Sequence, residues 1–88
     1  MVRVWYTKML VRIARGDAES KYRRIELLYQ ALENYFKLRG LWYRGPKAGL
    51  PWLARYDPET HTAIARALEP HASSEDLRAL VQRVLPAQ

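Results

Sequence analysis

The residues best equipped for chemistry lie in the middle of the chain, in Trp42-Tyr43-Arg44-Gly45-Pro46-Lys47, with Trp52 and Arg55 beyond. Aromatic faces beside cations suit a base, a nucleotide or a sugar ring. The restrained Gly45-Pro46 turn sets where Arg44 and Lys47 point, which separates them from ordinary solvated cations. Trp42 and Trp52 also read as core, because tryptophan is mostly buried in a small domain. Lys8, Arg12 and Arg15 share one face of an N-terminal helix; they read as solvated surface or as a dock for an acidic partner or nucleic acid. Each histidine follows an arginine closely: five residues separate Arg55 from His61, and four separate Arg66 from His71. Other chemistries have no support. Cysteine is absent, which removes disulfides, thiolate nucleophiles and the usual zinc sites. The glycines sit apart at turns rather than in a phosphate-cradling loop. No Ser/His/Asp arrangement is present, and the acids show no metal-ligand spacing.

These residues must be held by a chain of 88 residues, enough for one domain spanning residues 1–88. It is 49% hydrophobic and 27% charged, the balance of a folded rather than a disordered chain. Fifteen basic residues oppose nine acidic ones, a net charge of +6, which makes nucleic acid, nucleotides or an acidic protein surface plausible partners. Eleven of the fifteen are arginine, favouring bidentate contacts to phosphates or carboxylates. The longest run without charge, Ala48 to Ala54, is far too short to span a bilayer. The absence of cysteine and of a signal peptide points to the cytoplasm.

Helical periodicity dominates and predicts an all-α fold, a small up-and-down antiparallel bundle of four to five helices. Val2, Trp5, Tyr6, Met9, Leu10 and Ile13 form the inner stripe of a first helix that ends at Gly16, with Asp17 as the next N-cap. A long second helix, Ala18 to Arg39, carries one stripe of Tyr22, Ile25, Leu28, Tyr29, Leu32, Tyr35 and Phe36, and another of Leu27, Ala31 and Leu38. Both stripes are expected to touch neighbours. Glu19, Glu26 and Glu33 recur every seven residues as a solvated face, with Glu19–Arg23 and Glu33–Lys37 as expected pairs. Gly40 stops this helix. Leu41 to Leu50 reads as an irregular connector in which Pro46 after Gly45 can open a helical turn, and Pro51 opens a short helix with Trp52, Leu53 and Tyr56 inward. Asp57-Pro58 restarts the chain as N-cap and first helical residue, and Ile64, Ala67 and Leu68 pack inward before Pro70. Ser73 and Asp76 make a capping-box-like start to a last helix whose stripe is Leu77, Leu80, Val81, Val84 and Leu85. Aromatic residues on two faces also favour a homodimer that hides them.

The connector carries a resemblance. Leu38-Arg39-Gly40, then Trp42-Tyr43-Arg44-Gly45-Pro46-Lys47, Trp52-Leu53 and Asp57-Pro58-Glu59 resemble the helical C-terminal domain of polymerase-β-type nucleotidyltransferases, including the kanamycin nucleotidyltransferase group. Tyr43, Gly45, Pro46 and Lys47 match the family's aromatic and Gly-Pro-Lys helix opening, and Trp52-Leu53 matches its following apolar turn. The resemblance implies a bundle that forms one wall of an acceptor-substrate cleft, lined here by Tyr43, Arg44, Lys47 and Arg55. Lys47 would contact an anionic group, and Tyr43 would stack or hydrogen-bond. The family's catalytic Gly-Ser and paired aspartates are missing, since Asp17, Asp57 and Asp76 stand alone. This implies an accessory domain or subunit, whose magnesium and nucleoside triphosphate belong to a partner catalytic module. A separate resemblance attaches to the arginine–histidine spacing, which is similar to the active-site motif of HEPN ribonucleases, a related superfamily that acts on RNA without metal. It implies Arg66 and His71 as the catalytic pair. That motif expects a polar residue after the arginine, where this chain has Tyr56 and Ala67, and Pro58 and Pro70 interrupt the two spacings. A third reading is a small basic interaction bundle with no activity.

Overall fold

In the computed structural model, which describes residues 2–86, five helices follow one another: α1 (Val2–Ile13), α2 (Ala18–Leu38), α3 (Pro46–Tyr56), α4 (Pro58–Leu68) and α5 (Ser74–Val84). They form the all-α helical bundle that the periodicity predicts. Among the described residues, no helix is long and apolar enough to cross a membrane.

α2 is the spine. Asp17 caps it by accepting the Ser20 backbone N–H at 2.8 Å, and the buried Ser20 hydroxyl returns a bond to the Asp17 carbonyl at 2.6 Å. Its far end closes with the Leu41 N–H on the Phe36 carbonyl (2.9 Å) and the Gly40 N–H on the Lys37 carbonyl (3.2 Å), a Schellman arrangement. Leu27, Ala31, Leu32, Tyr35 and Phe36 are buried and meet Tyr6 and Met9 of α1, Leu53 of α3, Ile64 and Ala67 of α4, and Leu77, Leu80, Val81 and Val84 of α5 in one core. Tyr6 is buried with its hydroxyl accepting from Asn34 Nδ2 at 3.0 Å. α5 starts with the full capping box of Ser73 and Asp76.

Arg24 of α2 and its C-cap Arg39 tie α4 and α5 to it by their C-termini. Arg24 donates to the carbonyls of Ala67 (2.6 Å) and Glu69 (2.5 Å) at the end of α4. Arg39 donates to those of Arg83 and Val84 at the end of α5, both at 2.9 Å, and lies 3.8 Å over the Tyr35 ring. Each satisfies carbonyls that a helix end leaves without partners and places positive charge at the negative end of the helix dipole.

The structure corrects several expectations. Pro51 does not open a helix. It lies inside α3, which begins five residues earlier at Pro46, so the irregular connector is shorter than predicted. The missing Pro51 N–H takes the donor from the Lys47 carbonyl, and both residues are exposed, so the loss falls on the solvent side. Tyr22, Ile25 and Tyr29 do not pack inward: they are 68%, 63% and 72% exposed, because α1, α4 and α5 surround the Leu27–Ala31 side of α2 instead. Leu38, Tyr56 and Leu68 are likewise exposed. The predicted Glu19–Arg23 pair is replaced by Arg23 with Glu26 at 3.0 Å, and no Glu33–Lys37 bridge forms.

Candidate ligand-binding site

The chain leaves α2 at Arg39 and re-enters a helix at Pro46, and what it does in between is set by two glycines. Gly45, at φ +95°, makes the turn that puts Pro46 at the first position of α3. Gly49, one turn into α3, is buried under two rings. A Cβ there would stand 3.0 Å from Tyr43 Cε1 and 3.3 Å from Phe36 Cε2. The bare glycine thus lets both rings approach the helix, where Tyr43 stacks with Phe36 at 5.4 Å and 25°. Burial raises the Tyr43 pKa, with smaller contributions from Tyr29 and Glu33. Trp52 completes the platform, edge-on to Phe36 at 5.2 Å.

On this platform rests a concavity of about 360 Å³, walled by Leu41, Trp42, Tyr43, Arg44, Ala48 and Trp52. Trp42 does not fill the core as its residue type suggests; it is 83% exposed, with the Arg44 guanidinium 5.6 Å from its ring centroid. Trp52 is half-buried. Gly45 gives α3 no side-chain cap and Pro46 has no N–H, so the N–H groups of Lys47 and Ala48, at the exposed positive end of the helix dipole, have no side-chain acceptor in the cap. Among the described residues, Arg44, Lys47 and Arg55 form no ion pair.

Of the four residues the sequence singles out, Tyr43 and Arg44 line this concavity together. Arg55, beside the Tyr56 ring at 5.5 Å, falls on the α3 face of Ala48 and Trp52 by the i, i+4, i+7 rule and so lies along the same side. Lys47 sits in the exposed first turn of α3, a step round the helix from the lining residues. Trp42 reads from sequence both as part of the aromatic connector and as core, and the structure leaves it exposed; Gly49 was not readable as a site residue, because the closeness of two rings to it is a tertiary fact.

The Arg66–His71 pair is arranged differently. Arg66 lines a shallow cavity of about 220 Å³ between α4 and α5 with Glu59, Asp76 and Arg83, and His71 is not part of its wall. Both side chains are exposed. Lys8 and Arg12 are exposed on α1, beside the exposed Val4 and Val11, and Arg15 is exposed in the turn that follows α1 rather than on the helix as the periodicity predicts. Among the described residues, no three of His, Asp and Glu converge as a cation site would require.

The most strongly perturbed carboxylate lies elsewhere. Asp57, the N-cap of α4, accepts from Tyr35 Oη and Thr60 Oγ1 (2.7 Å each), from the Thr60 N–H (3.3 Å) and from Arg83 Nη2 (3.0 Å). Burial pushes its pKa up, but the bonds from Thr60, Tyr35 and Arg83 outweigh that and hold it at about 2. Arg83 also reaches Glu59 at 3.2 Å and Thr60 Oγ1 at 3.2 Å. Every group in this cluster is engaged within the chain, which makes it a brace joining α2, α4 and α5. Compared with protein-family models, curated proteins and solved structures, the chain shows no significant match to any of them.

Proposed function

We propose that this chain is an accessory, substrate-binding helical domain or subunit that works with a nucleotidyltransferase catalytic module located outside it. The observation that carries the reading is the uncapped start of α3, flanked by Arg44 and Lys47 and bordered by the exposed Trp42 ring. Helix N–H groups and two cations suit a phosphate or another anionic group, and an open indole face suits a base or sugar ring. Lys47 contacts the anion and Arg44 supports it. Tyr43 has one face against Phe36, so it offers its ring edge and hydroxyl rather than a free stacking surface. Arg55 lengthens the same wall.

The test is retrieval of the partner from a native cell extract with this chain as bait, followed by assay of the reconstituted pair. The reading expects a protein bearing Gly-Ser and paired aspartates, and transfer activity that falls about tenfold with Lys47→Ala, the value of one charge-assisted contact. Retrieval of RNA, or activity indifferent to Lys47→Ala, would remove its support.

A further inference from the structure

A broad exposed apolar surface lies on the other side of Tyr43, along α2. Three exposed side chains, Tyr22, Ile25 and Tyr29, form a ridge spaced i, i+3, i+7. Next to the ridge runs a groove of about 440 Å³ between α2 on one wall and Leu50, Ile64 and Leu68 on the other. We propose that a second copy of this chain covers this face, forming a two-fold symmetric dimer in which each ridge enters the other's groove.

Shape gives the first reason. A two-fold interface uses one patch twice, so the patch must hold both a projection and its complement; here the ridge and the groove lie side by side. Area gives the second. Tyr22, Ile25, Tyr29 and Leu68 are 53–72% exposed, which leaves roughly 500 Å² of apolar surface on those four alone. That is more than half of the ~800 Å² each partner buries in a standard interface. Charge gives the third and selects the occupant. The molecule carries +6 overall; on α2 the ridge is bordered by Glu33 and by Glu26, which pairs with Arg23 at 3.0 Å, while the groove takes Arg24 from α2 and is bordered by Lys47 on α3 by helical spacing. Two-fold docking brings Glu33 of one copy toward Arg24 and Lys47 of the other, a complementarity that a second copy supplies. The proposal does not depend on the ligand reading above, and its test involves no ligand.

Sedimentation equilibrium over a concentration series is expected to show the wild-type particle approaching twice 10.3 kDa. Tyr29→Glu and, independently, Ile25→Arg should return it to the monomer mass with helical circular dichroism retained, because both positions are mostly exposed within the protomer. Val11→Glu, an equally exposed apolar site on α1, should leave the dimer intact. A wild-type monomer throughout the series, alone or holding some other protein, overturns the proposal. So does a dimer that survives both α2 substitutions or that Val11→Glu dissociates equally well.

Discussion

At the Asp57 corner, Tyr35, Thr60 and Arg83 all meet the same carboxylate, whereas at the Tyr43 connector the cations meet only aromatic faces and solvent. The two regions draw on the same residue types. Arg83 is bound to Asp57 and Glu59, while Arg44 and Arg55 are not ion-paired. Tyr35 is 4% exposed with its hydroxyl bonded, while Tyr29, six residues earlier on the same helix, is 72% exposed. A pairing that is complete inside the chain leaves nothing for a ligand and holds the fold. Cations and rings left open by a helix start, beside a platform fixed by Gly49, have capacity to spare for binding.

If that contrast is right, substitutions should divide cleanly into those that cost stability and those that cost binding. The largest effect belongs to Asp57→Ala, which strips the α4 cap and leaves Tyr35, Thr60 and Arg83 without their acceptor. It should destabilise the fold by about 3 kcal/mol, measured by chemical denaturation. Acid probes the same corner. The Asp57 carboxyl titrates at about 2 in the folded chain against 3.8 ordinarily, so its contribution is fully present above about pH 4 and is lost as pH falls toward 2. The amount at stake is about 2 kcal/mol, from the size of that shift. Asp57→Asn should flatten this part of the stability–pH curve, and an unchanged curve would show the brace to be unimportant.

Smaller still is Gly49→Ala. The added methyl would stand 3.0 Å from Tyr43 and 3.3 Å from Phe36, and neither ring can give way without disturbing the stack between them. A net loss of about 1 kcal/mol is expected after the helix-favouring effect of alanine is offset. The Tyr43 ring resonances should shift by NMR. A fully retained Tyr43 environment would mean that Gly49 does not position the platform.

Much of the fold was legible because it rests on local chemistry. Asp17, Asp57 and Ser73 read as N-caps, Gly40 as a stop, and the α5 stripe from Leu77 to Val84 as core, and the structure places each of them so. What escaped depends on which neighbour arrives. Periodicity marks Tyr22, Ile25 and Tyr29 as apolar but does not say that no helix of this chain covers them. Pro51 looks like a helix opener until Gly45-Pro46 has already opened one. Arg24 and Arg39 look like two more surface cations, yet their partners are carbonyls more than forty residues away. Around the candidate site, Arg44 and Lys47 stood out by the Gly-Pro turn and Tyr43 by the resemblance of the connector, yet Lys47 falls outside the lining of the concavity and the exposure of Trp42 could not be read.

The central claim, that the open side chains around the start of α3 bind an anionic ligand, is met most directly by one titration. Tryptophan emission should be followed while a nucleoside triphosphate is added to the wild-type chain, to Lys47→Ala and to Trp42→Phe. The account predicts a saturable change in the wild type that vanishes with Trp42→Phe. Affinity should fall about tenfold in Lys47→Ala, for one lost charge-assisted contact, with folding stability altered by no more than about 0.5 kcal/mol, as for other exposed sites. A wild-type chain whose emission never saturates, or a Lys47→Ala variant that binds equally well, would contradict it.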